Sequence, residues 1–205
     1  MTKALLLFLF SFLYTFASLI PYKSYATITA VKNDTVVLDK NLPLNNMSAL
    51  VIRNIESNQY AIAYIKQKNA NRATIIDKDP LGGDKLANLK PTVAVGDKVE
   101  AGFLYDKYIL LAPNKQAYEA IKNNFALNPI NSELFLAYLK AKHTSTPSSN
   151  DYKEFAKLLG VGLFIIAKDN TLELYDPISK ATIKKVTFNF DNSIKIKPFY
   201  TNLAQ

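Results

Sequence analysis

The chain has 205 residues, 49% of them apolar and 20% charged, with 25 Lys and Arg against 17 Asp and Glu for a formal charge of +8. That apolar share excludes a mainly disordered chain. The lack of cysteine excludes disulfides, thiolate nucleophiles and Cys-ligated metal centres, and a single histidine, His143, leaves no pair for a His-based metal site. No cofactor and no metal are expected.

The N-terminus reads as a leader. Lys3 precedes an apolar run from Ala4 to Ile20, broken by few polar residues, which is the plan of a secretory signal peptide. Small residues stand at −3 and −1 of two cuts, after Ala17 and after Ala26. The first is preferred, because the second would remove half of a first strand. The other reading is an uncleaved anchor, for which 17 apolar residues are short of the ~20 a spanning helix needs. With residues 1–17 removed, the remaining chain carries +7 and has no second apolar run of that length, so no stable membrane insertion is expected after cleavage. Its cations are lysines apart from Arg53 and Arg72. Scattered lysine describes a solvated surface better than a nucleic-acid site, and no nucleic-acid partner is expected.

Residues 18–112 read as a β-rich unit. Tyr25 to Val31 and Thr35 to Asp39 flank Lys32-Asn33-Asp34, and Asn and Asp accept positive φ, so this is a tight hairpin. Met47 to Ile55 and Tyr60 to Lys68 form a second pair, and Ala73 to Asp77 follows the turn at Asn69–Arg72. A strand from Val95 through Tyr105 and another over Tyr108–Leu111 complete the run. Closely spaced β-branched strands without helical period predict a small antiparallel barrel or sandwich in an α+β, mostly β, chain.

The period changes at Pro113. Asn114 is placed to cap a helix carrying Ala117, Tyr118, Ile121 and Phe125 on one face. A second helix from about Ser132 presents Leu134, Phe135, Tyr138 and Leu139, completing a helical pair over 113–142 that should cover the β unit. Residues 143–150 are polar and aperiodic, a linker. In 151–205, Asp151-Tyr152-Lys153-Glu154 has capping-box spacing ahead of Phe155, Leu158 and Leu159. Gly160 and Gly162 end that helix. A three-stranded meander follows over Leu163–Ala167, Thr171–Tyr175 and Ala181–Phe190, with a last strand over Ser193–Lys197.

Little of this carries catalytic chemistry, and no catalytic residue is assigned. His143 lies in the polar stretch, without the fixed partner a catalytic base needs. Asp77-Lys78-Asp79-Pro80-Leu81-Gly82 starts like a calcium loop, but Leu81 stands where an oxygen donor belongs and Asn88 where Glu belongs. Gly82-Gly83-Asp84-Lys85 lacks phosphate-loop spacing. Glu173, within a strand, is expected on the solvent side. Tyr60, Tyr64 and Lys66 share one strand face, the interleaving single-strand nucleic-acid binders use, yet the apolar residues between them predict a strand buried on both sides.

Several ordered segments resemble the plasminogen-binding protein N-terminal domain family of helical, polarly flagellated bacteria. They are Met47-Ser48-Ala49-Leu50-Val51, Lys90-Pro91-Thr92-Val93-Ala94-Val95-Gly96-Asp97, Leu104-Tyr105, Leu110-Leu111-Ala112-Pro113-Asn114, Ala117-Tyr118, Gly162-Leu163 and Asp176-Pro177-Ile178-Ser179. The resemblance implies a non-enzymatic protein with one of two roles. One is a periplasmic structural component of the scaffold surrounding the flagellar motor, its partners other envelope or motor proteins. The other is capture of host plasminogen at the cell surface. Kringles take lysine best at a C-terminus, whereas this sequence ends Asn202-Leu203-Ala204-Gln205 and lacks the lysine-rich tail of longer relatives, leaving internal lysines such as Lys184-Lys185. The periplasmic role is therefore the leading expectation, plasminogen binding the alternative, and an envelope hydrolase with two convergent acids a distant third.

Overall fold

Four two-residue turns organise most of the β structure. Strand β1 (Ser24–Lys32) returns through Asn33-Asp34 into β2 (Thr35–Leu38), and β3 (Ser48–Ile55) returns through Glu56-Ser57 into β4 (Asn58–Asn69). Ala70-Asn71 leads into β5 (Arg72–Asp77), and Asp169-Asn170 joins β8 (Leu163–Lys168) to β9 (Thr171–Asp176). Each turn needs a left-handed residue, and Asn33, Glu56, Ala70, Asp169 and Asn170 all have φ between 43° and 56°. Both residues of the last turn are left-handed, as the twist of a tight hairpin demands.

The computed structural model describes residues 19–80, 91–192 and 198–204. Strands β1 to β5 and β6 (Lys98–Ala101) close an antiparallel barrel in the order β1-β2-β5-β4-β3-β6. The seam is β1 against β6, reinforced by Ile28 N donating to the Asp97 carbonyl at 3.0 Å and Gly96 N donating to the Ile28 carbonyl at 2.8 Å. Closure removes sheet edges. The expected barrel is thus present.

The strand over Tyr108–Leu111 differs from expectation. As β7 it leaves the barrel and pairs in parallel with β8, in a second sheet ordered β10-β9-β8-β7, where β10 is Ala181–Thr187. The expected three-stranded meander is present as β8, β9 and β10, and β7 adds a fourth, parallel strand to its sheet. A parallel partner cannot be reached by a hairpin and needs a long crossover, here the three helices α1 (Lys115–Asn124), α2 (Glu133–Ala141) and α3 (Ser149–Leu159). The predicted strand over Ser193–Lys197 lies outside the described residues.

Both faces of this second sheet are covered, which is why β7 and β8 are continuous apolar runs. Tyr108, Leu110, Leu163, Ile165 and Leu174 join one contiguous core with the barrel interior and with Ala117 and Ile121 of α1. On the opposite face Ile109, Leu111 and Phe164 pack with α2 and α3. Phe135 of α2 is the centre there, with the rings of Tyr138, Tyr152, Phe155, Phe164 and Phe199 at 4.9–6.2 Å.

Helix ends follow side-chain chemistry. Asn114 caps α1 as expected, its Oδ1 accepting from Ala117 N at 2.8 Å. The box on α3 sits one turn earlier than the spacing of Asp151 and Glu154 predicts: Ser148 is the cap and Asp151 reaches back to it. Lys142 is bonded to both Asp151 and Glu154 at 2.7 Å. The Lys142 ammonium and the Ser148 donors hold the Asp151 carboxyl down at about 2. The apolar faces also shift by a residue. Leu136 rather than Leu134 is buried in α2, and Leu158 and Leu159 of α3 are exposed.

Candidate functional site

Segments distant in sequence converge where the Asp176–Ser179 turn meets the barrel. Asp176 ends β9 and is fully buried. Its Oδ1 accepts from the backbone N–H groups of Ile178 and Ser179 at 2.9 Å, an Asx turn that fixes its own loop. Its Oδ2 accepts from Ser48 N, at the start of β3, and from the Tyr105 hydroxyl, each at 2.7 Å. A buried carboxylate is costly unless its lone pairs are filled, and these four donors fill them. Ile178 then packs with Leu50 and Tyr64 on the barrel's outer face, and Lys66 Nζ donates to the Ser179 carbonyl at 3.1 Å.

Beside this carboxylate, Gly162 enters β8 against the turn before Tyr105. A Cβ there would stand 2.3 Å from the carbonyl carbon and oxygen of Leu104, itself left-handed at φ 62°. Gly162 N donates to the Lys107 carbonyl at 2.8 Å. A second link lies further along: Asp77 of β5 takes Lys153 at 2.8 Å and Lys157 at 2.7 Å, both from α3. Burial pushes the Asp77 carboxyl up, but the two ammonium groups outweigh it and hold it below the usual range. Barrel, second sheet and α3 are thereby tied together.

Burial, and then the neighbouring Asp176 charge, raise the Tyr105 hydroxyl well above its ordinary value, and burial lifts Tyr64 to about 12. A raised phenol stabilises the fold fully below the unfolded value near 10, and that contribution is lost as pH climbs through the folded value. Thermal melts between pH 8 and 11.5 should therefore show the midpoint falling above pH 10. Tyr105→Phe should flatten the fall, and an unchanged slope in that variant would contradict the assignment.

A concavity lies elsewhere, at the carboxyl ends of the parallel pair β7 and β8. It is a cleft of about 580 Å³ with Leu111, Tyr152, Ile166 and Phe199 in its wall and Lys168 and Asp169 at its rim. The size suits a small molecule or a few side chains of a partner. Asp169 is the one carboxylate among its described lining residues, so the paired acids of a hydrolase are not assembled there.

The residues singled out in the sequence have other settings. Tyr60 and Tyr64 do not share a face. The register passes from Val51↔Ala63 to Ile52↔Ala61, so Ile62 is a bulge that reverses the alternation. Tyr64 points outward under Ile178, while Tyr60 is 45% exposed at the strand end. His143 is exposed in a left-handed turn. Asp77 is bound by lysines rather than poised for calcium, and among the described residues no cluster of three or more metal-ligating side chains occurs. Glu173 is partly exposed and pairs with Lys185 at 2.7 Å, and Lys184 Nζ donates to the Leu19 carbonyl at 3.4 Å. Gly82-Gly83-Asp84-Lys85 and the leader lie outside the described residues. Among the described residues no helix is long and apolar enough to cross a membrane. Sequence reasoning read Asp176 only as a turn residue. The available signal was Asp-Pro-Ile-Ser at a strand end, which announces an Asx turn but not its burial.

The family model described as plasminogen-binding protein pgbA N-terminal matches residues 23–205. No curated protein and no solved structure matches the chain.

Proposed function

Because the chain belongs to the plasminogen-binding protein pgbA N-terminal family, we propose that it is an exported, non-catalytic interaction module. Its place is the periplasm, as a structural component of the scaffold surrounding the flagellar motor. One observation carries this reading. Four of the seven segments that bear the family likeness meet inside the molecule, where Ser48, Tyr105, Gly162 and the Asp176–Ser179 turn join barrel to second sheet. A junction tied by a buried hydrogen-bonded carboxylate and a close backbone approach supports a body that acts through its surface.

Deleting the gene should abolish or impair swimming and remove density from around the motor in images of intact cells, with restoration by the full chain. Normal swimming with unaltered motors would overturn the proposal. The family description supports a second reading, plasminogen capture through lysine. Lys184 and Lys185, the internal pair best suited to it by sequence, are engaged with Leu19 and Glu173, which weighs toward the scaffold. Plasminogen binding by intact cells that a lysine analogue competes away, and that the deletion abolishes, would favour the second reading instead.

A further inference from the structure

Helix α1, the start of α2 and the Tyr200–Asn202 segment enclose a second pocket, of about 250 Å³. The first turn of α2 has already placed its N–H groups. Glu133 N donates to Asn131 Oδ1 at 3.0 Å, Leu134 N to the Asn131 carbonyl at 3.2 Å and Phe135 N to the Ser132 carbonyl at 3.1 Å. Ser132 is the N-cap residue, yet its hydroxyl makes no cap bond and no other bond among the described residues. The residue is only 4% exposed and lines the pocket. Thr201, 2% exposed, is a second lining residue whose hydroxyl has no partner among the described residues. An unpartnered buried hydroxyl costs free energy, so two of them beside one concavity point to a polar ligand.

The charges at this pocket are mixed. Lys115 and Glu119 stand at i and i+4 on α1 and both line it, and neither forms an ion pair among the described residues. Lysine preceding glutamate is the weaker order for such a pair. The Glu133 carboxylate is fixed by Asn202 N at 3.0 Å and by Asn131 Nδ2 at 3.3 Å. Tyr118 and Tyr200 add two tilted rings with centroids 6.1 Å apart.

This set discriminates among ligand classes. An anion would meet two carboxylates. A bare cation would meet the Lys115 ammonium and leave both hydroxyls unmatched. A sugar hydroxyl donates and accepts at once, so it serves carboxylate, ammonium and hydroxyl alike. The C–H face of a pyranose also packs on the negative face of an aromatic ring. We propose that this pocket binds one neutral sugar ring, with Glu119 and Ser132 bonding its hydroxyls and Tyr118 and Tyr200 taking its apolar face. The volume lies below that of a drug-sized site and holds a single ring. A free monosaccharide and the end of a glycan present the same ring, and the test separates them.

The isotope-labelled full chain is titrated with glucose, galactose and N-acetylglucosamine and with the methyl glycoside of each, while amide NMR shifts are followed. Saturable shifts at millimolar sugar are expected in α1, the first turn of α2 and Tyr200–Asn202. Binding of a methyl glycoside shows that a glycan end is accepted, and binding of free sugars alone identifies a monosaccharide site. Saturation by none of these sugars would overturn the proposal, as would saturation only by inorganic phosphate, choline or glycine. Glu119→Ala should weaken sugar binding by about tenfold or more, through loss of a charged acceptor, and Ser132→Ala should weaken it several-fold. Because the Ser132 hydroxyl caps nothing, Ser132→Ala should melt with the parent chain. Unchanged affinity in both variants would overturn the site, and a lowered melting midpoint for Ser132→Ala would overturn its part by showing that the hydroxyl serves the fold.

Discussion

Asp176→Ala is expected to destabilise the fold by roughly 3–5 kcal/mol, the range for removing one partner from a buried charged network. The substitution leaves Ser48 N–H and the Tyr105 hydroxyl as buried donors and frees the Ile178 and Ser179 N–H groups that hold the turn. Each orphaned donor costs about 1–3 kcal/mol where water cannot reach it, and the turn's grip on the barrel is lost with it. At a urea slope of ~2 kcal/mol/M, the midpoint should fall by about 1.5–2.5 M. Asp176→Asn should cost less, because its carbonyl oxygen can still serve the Asx turn while its amide faces Ser48 N–H donor to donor. The control is Asp34→Ala, which breaks an exposed pair with Lys78 and should stay within ~1 kcal/mol of the parent. A midpoint for Asp176→Ala matching that control would refute the role assigned to this carboxylate.

Gly162→Ala carries the second large effect, for a steric reason. Its Cβ would lie 2.3 Å from the Leu104 carbonyl carbon and oxygen and 2.7 Å from Tyr105 N. All three are backbone atoms in a turn already bent to a left-handed leucine. No side-chain rotation relieves that overlap, so β8 or the turn must move, disturbing the Tyr105–Asp176 bond next to it. A loss of about 3 kcal/mol or more is expected, the upper range for overpacking. Gly96→Ala is the comparison. Gly96 has φ 92° but nothing within 4 Å of its Cβ position, so it should cost only about 1–2 kcal/mol in backbone strain. The ordering is the test: thermal midpoints placing Gly162→Ala at or above Gly96→Ala would show that the close approach is not needed.

Both substitutions act on the same junction, so their effects should not add. Once the turn before Tyr105 has shifted, part of the Asp176 network is already broken. Surfaces on the barrel and on the second sheet keep a fixed relation only if the joint between them is stiff.

Local sequence determined the pieces that depend on neighbours in the chain. The Asn33-Asp34 and Asp169-Asn170 hairpins, the Asn114 cap and the barrel-forming strands follow from turn chemistry, capping and β-branched runs within a few residues. The family likeness was legible for the same reason, as ordered short segments. Tertiary structure alone decided three things. β7 joins β8 because a parallel pair is made across a crossover, and no local pattern records a partner more than fifty residues away. Tyr60 and Tyr64 part company because the bulge at Ile62 arises from register with β3, not from the composition of β4. Asp176 became the central polar group of the joint because burial, and the arrival of Ser48 and Tyr105 beside it, are properties of packing between segments. A carboxylate's cost and its worth are both set by which donors surround it, and that is known only once the chain has closed.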